Sequence, residues 1–290
     1  MIQYEGAIWR PPSEAHSLIL QATVGCAHNQ CTFCTMYKDK KFRIRSVEEI
    51  KQDIDYAAEV CGEQIRKLFL ADGDALSMPT GDLLKVIAYA RQQMPWLVSI
   101  SSYGTALDVI RKGEEQLKEL KKAGLSMIYM GAESGDESIL KDIRKGITRQ
   151  QLIEAGKLLK RAEILNSLTL ISGLGGRKLL KQHAINSADL VSQIKPEYLG
   201  FLTLMIDEEA IIYEKIKSGE MELLQPEDVM EEMKLFLEHV DSEGTIFRSN
   251  HASNYVMLKG TLNEERDKML AQVKKAEQES MFRNENYRRL

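Results

Sequence analysis

Long apolar runs, an excess of charge of one sign, and abundant glycine or proline are all missing from this 290-residue sequence. A membrane-spanning helix needs about 18 or more apolar residues in a row, and no window approaches that length. The 39 basic and 43 acidic residues leave a formal net charge of -4, so no overall field attracts nucleic acid, although a local basic patch remains open. Only 19 glycines and 6 prolines argue against a fibrous or disordered chain. We expect a globular, cytoplasmic protein without a signal peptide.

Cysteine is also scarce, and its four copies are unevenly placed. Cys26, Cys31 and Cys34 fall close together, whereas Cys61 stands alone and is expected to be a buried helix residue. In a reducing compartment, such a cluster indicates metal binding rather than a disulfide framework. The three clustered thiols are therefore the predicted metal ligands.

Short apolar segments rich in β-branched and aromatic residues alternate with helical patterns along the first two thirds of the chain. Nearly continuous apolar segments are typical of parallel strands that are covered on both faces. Capping boxes at Ser46–Glu49 and Thr148–Gln151 indicate where two of the intervening helices begin. The six predicted strands are Ser17–Ala22, Lys67–Leu70, Leu97–Ser101, Met127–Met130, Ser167–Ile171 and Tyr198–Leu204.

Six successive right-handed strand–helix units form either a doubly wound sheet or an open, incomplete barrel, with ligands at the carboxyl ends of the strands in both. After this α/β region the pattern changes to acidic helices, predicted at Pro226–Val240 and Asn263–Glu279, the second capped by Asn263. We expect an N-terminal segment over 1–16, a core domain over 17–206 and a C-terminal helical extension over 207–290.

The clustered thiols follow the first predicted strand, and soft thiolates select zinc or iron–sulfur centres. A structural zinc site normally recruits four ligands, and His28 lies between two of the cysteines rather than in a second paired knuckle. Three thiolates on a four-iron cube leave one iron open to a chelating ligand. The residues favour the cluster and leave zinc as the alternative.

At this point the sequence resembles the radical S-adenosylmethionine (SAM) superfamily, in which three cysteines in one loop hold a 4Fe-4S cluster. Phe33 occupies the place of the aromatic residue that precedes the last of these cysteines. The chain departs from most members in having four residues, not three, between Cys26 and Cys31. The resemblance implies an α/β fold, a partial (β/α)6 TIM-like barrel with a C-terminal helical extension.

Two further segments carry the resemblance. Asp72-Gly73-Asp74 stands at the place of the family's Gly-Gly-Glu segment, which meets the amino group of SAM. Gly131-Ala-Glu133-Ser134-Gly135 is similar to the Gly-x-Glu-Ser-Gly segment of one branch of the family, whose glutamate faces the cofactor. Lys145, or its neighbour Arg144, aligns with a base that pairs with the cofactor carboxylate. Plain turns and a solvated helix end are the alternative interpretations.

Other polar residues follow the remaining predicted strands. Ser102 and Tyr103 can supply hydroxyls near the ribose, and Gly173 offers close backbone approach to adenine. Plain turns are the alternative interpretation of both segments. His251 and Asn254 lie in a polar C-terminal segment and, with Tyr103, are the candidate catalytic residues; a connecting loop is the alternative for that segment.

The resemblance implies a single-cluster, oxygen-sensitive radical SAM enzyme. Its cofactors would be a 4Fe-4S cluster and SAM, which is cleaved to a 5'-deoxyadenosyl radical that abstracts hydrogen from an unidentified small-molecule or other substrate. It implies a flavodoxin- or ferredoxin-type reductant, and nucleic acid is neither expected nor excluded as a partner. The alternatives are a non-catalytic haem-binding relative or carrier, a structural zinc protein, and an RNA-modifying enzyme.

Overall fold

The structure is a computed structural model that describes residue 2 and residues 4–288. Ten strands are found in that part of the chain, and their chain order is β1 Leu18–Gln21, β2 Thr23–Val24, β3 Arg43–Ile44, β4 Lys67–Ala71, β5 Ser99–Tyr103, β6 Leu125–Glu133, β7 Leu165–Ser172, β8 Tyr198–Thr203, β9 Ile246–Arg248 and β10 Lys259–Thr261. The α-helices are α1 Val47–Cys61, α2 Thr80–Gln93, α3 Ala106–Ala123, α4 Glu137–Asp142, α5 Arg149–Arg161, α6 Gly176–Ile194, α7 Tyr213–Lys217, α8 Pro226–His239 and α9 Arg266–Gln278.

Eight of the strands form one mostly parallel sheet, in the order β1-β4-β5-β6-β7-β8-β9-β10, while β2 and β3 form a separate antiparallel pair. The pairs β1–β4, β4–β5, β5–β6, β7–β8 and β8–β9 are parallel, and β9–β10 is antiparallel. Each of the six predicted strands is present, with ends shifted by a few residues. The predicted α/β class with a partial TIM-like barrel is confirmed.

The chain folds into two compact units. The first comprises Met1–Asn29, Met36–Met130 and Lys157–Asn166, and the second comprises Gln30–Thr35, Gly131–Gly156 and Ser167–Leu290. The predicted domain boundaries at residues 16 and 206 do not coincide with the limits of these two units. The three predicted domains stay a prediction.

Apolar strands and amphipathic helices build the core of the first unit. Leu20, Phe69 and Leu70 on the strands are fully buried, as are Ile50 and Ile54 on α1. Helix α1 begins at the predicted capping box, in which the Ser46 hydroxyl accepts the Glu49 N–H and the Glu49 carboxylate accepts the Ser46 N–H. Cys61 ends this helix as expected, but it is partly exposed rather than buried.

The second unit has an aromatic core. Phe201 on β8 lies 5.1 Å from Phe236 on α8, and Phe236 stacks on Phe247 of β9 at 6.2 Å between ring centroids. The Thr148 and Gln151 capping box is present: the Gln151 side chain accepts the Thr148 N–H at 2.9 Å. Helix α8 matches its predicted bounds to within one residue.

The C-terminal region differs from the prediction in two details. The polar segment between the two predicted helices contributes β9 and β10 to the sheet, so the extension is not purely helical. The prediction that Asn263 caps the last helix is wrong: the cap is Glu265, and the Asn263 side chain accepts the Ser242 N–H. Among the described residues, no helix has both the length and the apolar character that crossing a membrane requires.

Candidate functional site

The three clustered cysteines lie on the segment between β2 and β3. Cys26 belongs to the first unit, while Cys31 and Cys34 belong to the second. All are partly exposed, and none of the four described cysteines forms a disulfide. The donor set fits the chemistry of an iron–sulfur cluster, because accessible thiols on an irregular segment can bind as thiolates.

The portion of this segment in the second unit is fixed by backbone bonds and one ring. Thr32 donates its N–H to the Ile143 carbonyl at 2.9 Å and accepts the Ile212 N–H, also at 2.9 Å. The Phe33 ring packs against a buried apolar cluster of Ile139, Ile143 and Leu174. The aromatic residue between the cysteines therefore anchors Cys31 and Cys34 to the second unit.

The structure does not bring a complete metal site together. Within the part of the chain that it describes, no group of three or more histidine, cysteine, aspartate or glutamate side chains is placed to hold a metal ion. The assignment of Cys26, Cys31 and Cys34 as ligands, and the choice between iron–sulfur and zinc at these thiols, therefore stay predictions of the sequence.

Asp72 and Gly73, which directly follow β4, make contacts within the first unit. Asp72 is fully buried and forms a 2.6 Å ion pair with Lys40. At Gly73 an added Cβ would lie 2.5 Å from the ring of Tyr37, so the glycine makes room for this tyrosine. Burial, and then the Asp72 charge, raise the pKa of the Tyr37 hydroxyl. In this structure Asp72 and Gly73 therefore make structural contacts, and their roles toward SAM stay predictions.

Asp74 is also buried, and it faces another acid. Its carboxyl lies against Asp108 of α3, a residue that is equally buried and accepts the Thr105 hydroxyl of the helix cap. Desolvation, followed by the hydrogen bond and charge of Asp108, raises the pKa of Asp74 to about 8. This shift favours the protonated carboxyl near neutral pH. The contact of Asp74 with the amino group of SAM stays a prediction.

Ser102 and Tyr103 end β5 within the first unit. The Ser102 hydroxyl is buried and donates to the Tyr103 carbonyl at 2.8 Å. The Tyr103 ring meets Phe69 edge-on at 4.9 Å and Tyr129 at 6.2 Å. These contacts are structural, and the proposed roles of both residues toward ribose or substrate stay predictions.

The end of β6 holds an ion pair in the second unit. The Lys145 ammonium lies 2.8 Å from the Glu133 carboxylate, and the two side chains are 18% and 11% exposed. At Gly131 an added Cβ would lie 2.0 Å from that carboxylate, so the first glycine of the motif makes room for the pair. The structure thus brings together the two residues expected to contact SAM, and leaves them partly accessible.

The remainder of this motif has a structural role. An added Cβ at Gly135 would lie 2.3 Å from the Asn186 carbonyl, and the Gly135 N–H donates to Ser187 of α6. The buried Ser134 hydroxyl accepts the Asp136 N–H, and Asp136 caps α4. Ser134 therefore shapes the turn, while Arg144, beside Lys145, has a left-handed backbone with φ of 53°.

Gly173 follows β7 and has a φ of 90°, which favours glycine. Its N–H donates to the Glu232 carboxylate of α8 at 3.1 Å. The other oxygen of Glu232 lies 2.6 Å from His183 of α6, and both side chains are almost fully buried. The sequence analysis missed this pair, although an acid and a histidine on otherwise apolar helix faces were a visible signal.

Asn254 and His251, the two C-terminal candidates, have different surroundings. Asn254 is buried, donates to the Phe201 carbonyl and accepts the Thr203 hydroxyl, both at 2.8 Å. It fastens its loop to β8, and its role toward a substrate stays a prediction. His251 is partly exposed and lies 2.9 Å from the Ser253 hydroxyl; burial, with the nearby Arg283 charge, lowers its pKa.

A cavity of about 320 Å³ opens within the second unit at the carboxyl ends of β7 and β8. Ser172, Leu204, Tyr255 and Arg288 are among its lining residues. The Ser172 hydroxyl is buried and has no hydrogen-bond partner among the described residues. Arg288 lies over the Tyr255 ring at 3.9 Å and pairs with Glu285. The sequence analysis did not single out Tyr255 or Arg288, which lie far along the chain from the strands.

The mostly parallel sheet places this chain among the α/β folds in which ligands bind at the carboxyl ends of the strands. The family model described as the radical SAM superfamily matches residues 20–190, which is more than half of the chain. This chain belongs to the radical SAM superfamily.

Individual relatives are distant. The heme chaperone HemW of Bacillus subtilis is 20% identical over 193 residues, which cover 66% of this chain and 50% of HemW. This chain therefore spans about half the length of that relative.

Solved structures share the fold. The cobalamin- and [4Fe-4S]-bound radical SAM methyltransferase TsrM of Kitasatospora setae has a TM-score of 0.56 and 16% identity, over 70% of this chain and 39% of TsrM. Coproporphyrinogen III oxidase HemN of Escherichia coli, a radical SAM enzyme, has a TM-score of 0.56 and 17% identity, over 77% of this chain and 52% of HemN.

The family predicted from the sequence is thereby confirmed. Membership of this family supports both expected cofactors, the 4Fe-4S cluster and SAM. The superfamily consists mostly of enzymes, which supports the general class of radical SAM enzyme for this chain. The reaction and the residue roles are the subject of the proposal that follows.

Proposed function

We propose that this protein is a radical SAM enzyme in which Cys26, Cys31 and Cys34 hold a single 4Fe-4S cluster. Membership of the superfamily, together with three accessible thiols on the segment after β2, carries the proposal. When bound, the cluster and SAM supply one-electron cleavage of a sulfur–carbon bond and a 5'-deoxyadenosyl radical that takes hydrogen from substrate.

The chain's own residues position and shield these groups. Glu133 and Lys145 form a partly exposed pair, and an amino acid zwitterion offers each of them a partner of opposite charge. Each would exchange part of its present ion pair for a contact with the cofactor's amino or carboxylate group.

The Gly173 backbone, held by Glu232, presents a stable surface beside the 320 Å³ cavity. Leu204 and the buried Tyr255 help to enclose that cavity, which suits the exclusion of water.

The protein also needs an electron donor and a substrate. We propose a flavodoxin- or ferredoxin-type reductant, a cytoplasmic location, and a small-molecule substrate. The partly exposed cysteines agree with electron delivery at the surface of the segment that carries them.

One specific observation favours a second candidate, a haem-binding carrier: the similarity to HemW extends over two thirds of this chain. Stoichiometric binding of haem, with cleavage of SAM that no substrate stimulates, would favour the carrier over the enzyme.

The test is anaerobic reconstitution with iron and sulfide, followed by measurement of bound iron and of 5'-deoxyadenosine formed from SAM under reduction. The wild-type protein should bind four irons and form 5'-deoxyadenosine, and Cys31→Ala should lower product formation by about 100-fold or more because the cluster loses a ligand. Cys61→Ser is the matched control and should bind as much iron and form as much 5'-deoxyadenosine as the wild type. A colourless protein with one zinc would contradict the proposal and support the structural zinc alternative.

A further inference from the structure

A single buried carboxylate joins the two ends of the segment that carries the cysteines. One oxygen of Asp72 accepts the Lys40 ammonium at 2.6 Å and the Gly25 N–H at 3.1 Å. The same oxygen lies 3.3 Å from the Gln21 side-chain nitrogen. Gly25 immediately precedes Cys26, whereas Lys40 follows the last cysteine by six positions. Asp72 therefore fastens the segment on both sides.

Further bonds make this fastening continuous with the strands. The Asp72 N–H donates to the Thr23 carbonyl of β2 at 3.2 Å, and Lys40 also donates to the Ala7 carbonyl. Gly25 has a φ of 76°, and an added Cβ would lie 3.2 Å from the Lys40 side chain, so Lys40 packs closely on this turn. The position of Cys26 is thereby coupled to the Asp72–Lys40 pair.

Burial makes the pair difficult to replace by other partners. The side chains of Lys40 and Asp72 are 4% and 0% exposed. Removing one charge leaves the other without its counterion in a region that excludes water, which is costly. The ion pair and its hydrogen bonds occupy one oxygen of Asp72, while the other oxygen is buried without a hydrogen-bond partner among the described residues. The cofactor contact expected of Asp72 from the sequence stays a prediction.

We infer that Asp72 and Lys40 are positioning residues that hold Cys26 in the place from which it binds the cluster. The inference rests on the proposed function and goes beyond it, because neither residue is one of the three proposed thiol ligands. Outer partners of metal ligands are known to change metal affinity about 10- to 100-fold when they are lost.

The test compares Asp72→Asn, the double variant Asp72→Asn with Lys40→Met, and Asp53→Asn. The double variant removes both charges together, so it avoids an uncompensated buried charge and is expected to fold. Asp53→Asn is the matched control, because Asp53 forms a 2.7 Å ion pair with Arg45 that is also largely buried in the first unit. Among the described residues, neither Asp53 nor Arg45 forms a hydrogen bond with Asp72 or Lys40.

Three readouts are measured for each variant: iron and sulfide bound after anaerobic reconstitution, the electron paramagnetic resonance spectrum of the reduced cluster, and the alkylation rate of Cys26 in cluster-free protein. Both Asp72 variants should bind iron about tenfold more weakly, with an altered spectrum, and their Cys26 should be alkylated severalfold faster than in the wild type. Asp53→Asn should match the wild type in all three.

The outcomes separate the two claims. A wild-type protein that takes up no iron–sulfur cluster contradicts the proposed function, and the alkylation rates then test the positioning of Cys26 on their own. A folded double variant with wild-type iron binding, spectrum and alkylation rate overturns the positioning role. Equal losses in Asp53→Asn would also overturn it, because the effect would then be general destabilisation.

Discussion

The segments at the ends of β4 and β6 each place acidic residues beside glycine, yet the protein uses them in opposite ways. After β4, Asp72 and Asp74 are buried, and Gly73 makes room for a tyrosine ring. At the end of β6, Gly131 makes room for Glu133, whose side chain keeps 11% exposure in its pair with Lys145, against 0% for Asp72.

The difference lies in how far each acid is enclosed by the protein. One oxygen of Asp72 is engaged by a buried ammonium and a backbone N–H, whereas the other oxygen of Asp72 and one oxygen of Asp74 are buried without a hydrogen-bond partner among the described residues. The Glu133–Lys145 pair keeps a small exposed fraction, so water can assist an exchange of partners there. We therefore expect substitutions after β4 to act on folding and on the cysteine segment, and substitutions in the β6 pair to act on ligand affinity.

The largest effect in this comparison is expected for Gly73→Ala. The new methyl group would lie within van der Waals distance of the Tyr37 ring, which is buried and cannot move freely. Overpacking of this kind should lower the free energy of unfolding by about 1 to 3 kcal/mol, measured by denaturant unfolding of the cluster-free protein.

Two companion variants sharpen this prediction. Gly81→Ala is the control, because an added Cβ at this exposed position in α2 meets nothing within 4 Å and alanine favours the helix. In a Tyr37→Ala background the cost of Gly73→Ala should shrink. An unchanged cost in that background would show that the ring is not what excludes a side chain at residue 73.

A smaller, pH-dependent effect is expected for Asp74→Asn. The pKa of Asp74 is raised to about 8 in the folded protein, whereas an unfolded aspartate loses its proton near pH 4. Between those values the folded state binds the additional proton, so this group makes stability fall as pH rises. Asparagine removes that dependence and should raise the free energy of unfolding near pH 8 by about 1 to 2 kcal/mol.

Unfolding curves at pH 5 and pH 8 measure this effect, with Asp82→Asn as the control. Asp82 is an exposed acid at the start of α2, and its replacement should change stability equally at the two pH values. A wild-type protein whose stability does not fall between pH 5 and pH 8 relative to Asp74→Asn would show that Asp74 is ionised in the folded state.

The comparison also shows what the sequence can predict. Each of the six predicted strands was found because its residues are apolar in sequence, a signal that burial on both faces imposes locally. The glycine–acid segments were located for the same reason, since they follow directly from those strands. The short β9 and β10 were missed. Lys-Gly-Thr at β10 carries little strand propensity, and β9 is only three residues long, which is too short to show an alternating pattern.

What each acid does was not predictable, because it depends on residues distant in sequence. Asp72 meets Lys40 across 32 positions, and Glu232 meets the Gly173 N–H across 59. Nothing in the local sequence of Asp72-Gly73-Asp74 distinguishes a ligand-facing carboxylate from one that a buried lysine already neutralises. Pairings of this kind follow from the packed tertiary structure and leave no periodic pattern in the sequence.

The largest effect on ligand binding is expected for Glu133→Gln. The side chains of Lys145 and Glu133 keep 18% and 11% exposure, so loss of this pair should lower the free energy of unfolding less than loss of the fully enclosed Asp72–Lys40 pair. If Glu133 contacts an ammonium of SAM, affinity measured by calorimetry on the reconstituted protein should fall about tenfold, as expected for a charged hydrogen bond. Glu114→Gln, which breaks an exposed pair with Lys118 on α3, should leave that affinity unchanged. Wild-type affinity in Glu133→Gln would contradict a contact between Glu133 and SAM. The segments after β4 and at the end of β6 would then differ only in how deeply their acids are buried.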